Sequence, residues 1–294
     1  MSEEASMRPT MKQAHEMRQA EIQSELRDNG LGFIDVPLTS LPTGGIFYPE
    51  GTRINIRAAS GADIRHWSMI NETELSEIDD ALNYIVERCV RISYPDGTAN
   101  WKDLKEIDRF YIILAVRDFT FPEGNNDLKI KISENKTINV HKDHIQFMDL
   151  GDKIMKYFNV DKRCFTFPVK DPRTKYINIY MPSVGVTQWL KSYIKRKTQR
   201  QEQYDKDFVT VAPMLIADYR KLNDHTYTEL LQKSMMWGNY EWSLVAKVKS
   251  IIERSISPKL KYTDESGAEA EAPLTFQGGI KAIFTINMDE ELDL

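Results

Sequence analysis

Only a few residues in this chain have types and spacings that suggest chemistry. The nearest thing to a metal or acid–base group is His141-Lys142-Asp143-His144, with Asp149 just downstream. Two imidazoles at this spacing supply part of a zinc shell. Asp143 or Asp149 would have to supply the rest, since zinc takes about four ligands. The missing donors favour a plainer reading, a polar strand exit leading into the next element. Asp79-Asp80 places two carboxylates side by side. Adjacent residues on a helix point in different directions, so the pair cannot share a proton as a catalytic dyad does. As acids near a helix N-terminus they complement the helix dipole. Cys89 falls on the apolar face of a helical pattern and reads as a buried structural thiol. Cys89 and Cys164 are too few for a disulfide scaffold or for a zinc site of three or four thiolates. The chain has no G-x-x-x-x-G-K-[ST] phosphate loop, G-x-G-x-x-G turn, H-E-x-x-H pair or G-x-S-x-G elbow. The expectation is a chain that is not an enzyme, with no catalytic, cofactor-binding or metal-ligating residue and no cofactor.

What remains is chemistry of contact. Lys191, Lys195, Arg196, Lys197 and Arg200 cluster on one predicted helix and suit phosphate backbones or an acidic protein surface. A solvated helix face is the default for such a run. Trp237-Gly238-Asn239-Tyr240-Glu241-Trp242 offers rigid rings that bury much area at low entropic cost, as interface anchors do. Alternatively, those rings fill the corner between two helices. The interface candidates are therefore Trp237, Tyr240, Trp242, Lys195, Arg196 and Lys197. The basic 191–200 face would serve a nucleic-acid-associated protein, but the formal net charge of −5 weighs against that class.

These side chains need elements to hold them. The 294 residues are 41% hydrophobic and 28% charged, with 12 Phe, 13 Tyr and 5 Trp, enough for a sizeable core. No apolar run approaches the roughly 20 residues of a membrane span. The acidic Met1-Ser2-Glu3-Glu4 start lacks the apolar core of a signal peptide.

Residues 1–30 read as a polar helical arm with a thin stripe of Met11, Ala14, Ile22 and Leu26, either a loose terminus or a docking helix. Residues 31–183 read as an α+β domain. Arg53-Ile54-Asn55-Ile56-Arg57 alternates as a half-buried strand. Ser60-Gly61-Ala62-Asp63 resembles a capping box. Ile78, Leu82, Ile85, Val86 and Cys89 follow helical spacing, with Thr73 or Ser76 as the cap. Leu104–Arg117 predicts a central helix. Leu128–Ile132 with Ile138–Val140, and Phe165–Val169 with Tyr176–Met181 over Asp171-Pro172-Arg173, predict two hairpins. Residues 184–257 read as a helical region, with helices from Val184 to about Gln203, over Asp207–Leu222 with the regular part beginning near Pro213, after a Thr226 cap, and over Glu241–Ile256. Residues 258–294 read as an extended hairpin, Lys259–Thr263 with Leu274–Gln277, and an acidic tail. The fold class is α+β: short antiparallel β-hairpins packed with helices, followed by a mainly helical C-terminal half.

Two segments carry a resemblance. One is Leu41-Pro42-Thr43-Gly44-Gly45-Ile46-Phe47-Tyr48-Pro49-Glu50-Gly51, followed by the Arg53–Arg57 strand. The other is Asp108-Arg109-Phe110-Tyr111-Ile112-Ile113-Leu114-Ala115-Val116-Arg117. With the hairpins and helical half in order over Leu41 to Phe284, the chain resembles the T4-type bacteriophage baseplate protein family. The resemblance implies a non-enzymatic structural or assembly protein of the tail baseplate hub, acting through protein–protein contacts. Implied partners are other phage tail and baseplate proteins, with no membrane, nucleic acid or small-molecule substrate. The implied location is the host cytoplasm during assembly and the virion tail baseplate. A permanent component and a transient chaperone both fit. Many relatives in that family place a C-x-x-C pair in the hairpin after this helix, and some place another near the C-terminus. Lys129–Val140 and Lys259–Gln277 contain no cysteine here, so no zinc knuckle is expected.

Overall fold

The computed structural model describes residues 32–121, 128–133, 136–140, 142, 145, 147–169, 175–255, 259–263, 267–273 and 279–284. The expected arm over 1–30, His141, Asp143, His144, the Asp171–Arg173 turn, the Leu274–Gln277 strand and the acidic tail all lie outside the described residues. The architecture is α+β, with helices dominating the C-terminal half.

The first sheet follows from alternation. In β2 (Arg53–Arg57), Ile54 and Ile56 turn inward, and the strand pairs antiparallel with β1 (Phe33–Val36) and β3 (Val90–Ser93). Helix α1 (Gly61–Ser68) starts at the expected capping box. The Ser60 hydroxyl accepts from the Asp63 N–H, and the Asp63 carboxylate accepts from the Ser60 N–H at 2.9 Å. Helix α2 (Leu75–Cys89) buries Leu82, Ile85, Val86 and Cys89. Its N-cap is Glu74 rather than Thr73 or Ser76; Thr73 is engaged in a local turn with the Asn71 side chain. Helix α3 (Glu106–Thr120) is buried nearly all round from Tyr111 to Arg117, as a central helix must be. It begins after a 3-10 turn at Trp101–Asp103, which Asn100 and Asp103 cap reciprocally. A hairpin of β4 (Lys129–Ser133) and β5 (Lys136–Asn139) follows.

The second half holds another three-stranded antiparallel sheet, β6 (Phe158–Asn159), β7 (Cys164–Pro168) and β8 (Tyr176–Tyr180). A one-turn helix α4 (Asp152–Met155) precedes it. The remaining helices are α5 (Val184–Gln199), α6 (Lys206–Val211), α7 (Asp224–Met235) and α8 (Asn239–Ser255).

The expected helix over Asp207–Leu222 is instead broken into α6 and two 3-10 turns, Ala212–Leu215 and Tyr219–Lys221. Pro213 does not open a regular helix; it sits at the head of the first 3-10 turn. A proline there cannot extend α6, because it lacks an N–H and its ring crowds the carbonyl one turn back. Asp218 then accepts from the Arg220 N–H at 2.9 Å and caps the second turn, so the local hydrogen bond outcompetes a continuous helix. Asn223 caps α7, and Thr226 is its reciprocal partner rather than the cap. The last hairpin pairs β9 (Lys259–Thr263) with β10 (Glu269–Pro273), upstream of the expected Leu274–Gln277. Glu269-Ala270-Glu271-Ala272 supplies the alternation, so pairing with β9 begins at Glu269, nearer in sequence than expected.

Two apolar cores result. The first packs the β1–β3 sheet with α1, α2 and α3 and ends with Ile283 and Phe284. The second packs the β6–β8 sheet with α5 through α8. The Leu41–Tyr48 loop joins them, sending Phe47 into the second core and Tyr48 into the first. Gly45 makes that loop possible. Its φ is +75°, and a Cβ there would lie 2.7 Å from Leu38 Cβ.

Candidate interaction surface

The corner between α7 and α8 is set by two local devices. Helix α7 is held at its start by the Asn223 capping box and by the Arg196–Asp224 ion pair at 2.8 Å. Glu241, 5% exposed, accepts from the Gly238 N–H at 3.0 Å and fixes the first turn of α8. Between them the chain turns sharply. Trp237 and Trp242 face each other at 5.5 Å and 66°, half-buried against the second core, with Trp242 edge-on to Phe208 at 6.4 Å. They fill the corner from beneath. Tyr240 points outward, 53% exposed, beside Met235 and Met236 at 71% and 64%. Of the three aromatic candidates, Tyr240 thus lies on the surface, and the two tryptophans pack against the second core. The two methionines were not among the interface candidates: Met235 follows Leu230 and Leu231 on the same helix, a pattern that gives no sign of exposure. The helix ends at Met235, however, so that pattern does not continue into a further turn.

The basic face of α5 is largely occupied by the protein's own carboxylates. Arg196 pairs with Asp224, and Lys197 pairs with Glu202 at 2.5 Å. Arg200 lies 3.9 Å from Glu202, and Lys191 reaches Asp79. Lys195 is exposed. Asp79 therefore does not act as an N-terminal helix acid. It lies in the second turn of α2 and ties that helix to Arg109 of α3 at 2.8 Å and to Lys191 of α5. Burial pushes its carboxyl up, but Arg109 and Lys191 outweigh that and hold it below the ordinary 3.8.

One cluster went unseen in the sequence. Asp108, fully buried in the first turn of α3, accepts from the Thr43 N–H at 3.0 Å and from the Thr43 and Tyr48 hydroxyls, both at 2.8 Å. Tyr48 in turn accepts from the Lys105 N–H at 3.0 Å. The two segments that carried the resemblance thus meet at one carboxylate. Desolvation lifts the Asp108 carboxyl to about 6 despite these donors. The only hint in the sequence was an acid placed just before a long apolar run. A second buried pair, Arg57–Asp63 at 2.9 Å, locks β2 to α1. Beside it, burial pushes the Cys89 thiol up to about 12, so the thiolate that would be its reactive form is disfavoured.

An open cleft of about 410 Å³ lies along β1 and β2, lined by Asp35, Val36, Leu38, Thr52, Arg53 and Asn55. Its two ionisable side chains, Asp35 and Arg53, are both exposed. Among the described residues, no group of three or more His, Cys, Asp or Glu is placed to hold a metal ion. No described helix is long and apolar enough to cross a membrane. No protein-family model matches the chain, nor does any curated protein or solved structure.

Proposed function

We propose that this protein is a non-enzymatic component or assembly factor of a contractile-tail baseplate hub, working through protein–protein contact. Its site of action would be the host cytoplasm during assembly and the tail baseplate. The family reading comes from the 41–51 and 108–117 segments. The observation that carries the contact reading is the α7–α8 corner. Met235, Met236 and Tyr240 are exposed there, in the same stretch of chain as the half-buried Trp237–Trp242 pair. Methionine is an adaptable and tyrosine an amphipathic anchor of the kind that contact surfaces use. The partner is a hub protein presenting an apolar concavity.

The test is co-expression of the tagged full chain with baseplate hub proteins, followed by affinity capture. The expected result is a stoichiometric complex with one of them that the double variant Met236→Glu, Tyr240→Ser abolishes. Capture of none of them, or a complex indifferent to both substitutions, refutes the reading. Mass spectrometry of purified particles then separates the two roles. Stoichiometric peptides mark a permanent component, and their absence marks a chaperone.

A further inference from the structure

Ile283 and Phe284 lie near the end of the chain, yet both are buried in the first core, 0% and 1% exposed. They arrive on a short 3-10 segment, Ile280–Phe284, that rests on α1 and α3. The contacts follow a recognition pattern. The Trp67 indole N–H donates to the Ile280 carbonyl at 3.2 Å, 213 residues away in sequence. The Phe284 ring meets Trp67 edge-on at 5.1 Å and 71°. The Glu72 carboxylate accepts from the Lys281 N–H at 2.8 Å. Gly279, at φ +67°, lies so close to Glu72 that any side chain there would strike the carboxylate. The segment is thus read through one carbonyl, one amide, two apolar side chains and one obligatory glycine. The other buried members of this core fall between Val36 and Val184, so the segment closes a core assembled by other residues.

We propose that the surface around Trp67 and Glu72 is a receptor for a short peptide, filled in cis by the chain's own Gly279–Phe284 and open to the same segment of a second copy. A five-residue 3-10 segment is short and opens locally at lower cost than the 15-residue helix α3 beneath it. The receptor on a neighbouring copy is identical, so mutual exchange gives a symmetric dimer. Tethering sets a cis concentration on the order of millimolar, which keeps the site filled internally when the chain is dilute. This inference does not rest on the baseplate reading.

The probe is a labelled peptide of residues 279–284, titrated by fluorescence anisotropy against the full chain and against full-chain Phe284→Glu, whose own segment cannot seat. The variant is expected to bind the peptide, and the wild type to bind it at least about tenfold more weakly, because the cis copy competes. A folded Phe284→Glu chain that ignores the peptide overturns the proposal. Hydrogen exchange on the wild type gives a reading that does not depend on the variant folding. The Lys281 amide is expected to exchange well before the amides of α3. Equal protection would make the segment an integral part of the core and overturn the proposal.

Discussion

Asp108→Asn is the substitution that probes the joint between the two cores. The carboxyl is raised from 3.8 to about 6, chiefly by burial, with the Thr43 and Tyr48 donors opposing. A group whose folded pKa lies above its unfolded value favours folding fully below the unfolded pKa and loses that contribution as pH rises through the folded one. Asp108 therefore supports the fold near pH 3.8 and below, and its contribution fades as pH climbs through about 6. A shift of about two units at about 1.4 kcal/mol each makes the loss ~3 kcal/mol by pH 7. The amide carries no such dependence. Its oxygen can keep the Thr43 N–H, but its NH₂ faces two hydroxyls that now have to accept, a constant penalty of about 1–3 kcal/mol. The informative quantity is thus the difference in stability between variant and wild type, from urea unfolding followed by tryptophan fluorescence at pH 4 and pH 7. Other titrating groups cancel in that difference. The variant is expected to gain on the wild type by about 2–3 kcal/mol over the range. A constant difference, or a variant that loses ground as pH rises, would mean that the three donors hold Asp108 ionised and that burial does not dominate. That result would refute the reasoning.

Further outcomes follow from the same contacts. Asp63→Ala strands the Arg57 guanidinium, whose side chain is 1% exposed, and is expected to cost about 3–5 kcal/mol by urea unfolding. The bonds from Arg57 to the Arg88 and Ala58 carbonyls put the value near the lower end. Tyr227→Phe removes a buried hydroxyl that has no hydrogen-bond partner among the described residues. It should be neutral or stabilising by up to about 1 kcal/mol; a clear loss would reveal a partner. On heparin, the chain is expected to elute at low salt, because Arg196, Lys197 and Arg200 already face Asp224 and Glu202. Tight, steeply salt-dependent retention would revive the nucleic-acid reading.

Local pattern carried much of the architecture. Strict alternation located β2, helical spacing located α2, and Ser60 with Asp63 located the start of α1. These features were legible because each is encoded within a few residues. The helix after Asp207 failed because Pro213 and Asp218 impose short-range turns that override an apolar stripe. In the last hairpin the first strand, Lys259–Thr263, was legible but its partner was not, because alternation alone does not fix the register. Of the candidate surface, the aromatic cluster was legible, but which rings face outward was not. Trp237 and Trp242 are claimed by Phe208 and the second core, a tertiary fact. Asp108 lies 65 and 60 residues from Thr43 and Tyr48, which share one loop, and only the fold brings the carboxylate to them.

The central claim is that this protein builds by contact. Its most direct test removes the chain from an infection that produces contractile-tailed particles and images the tails by electron microscopy. Baseplates stalled without a complete hub, rescued by the wild-type chain but not by Met236→Glu with Tyr240→Ser, are the predicted result. Complete, infectious tails formed without the chain would contradict it.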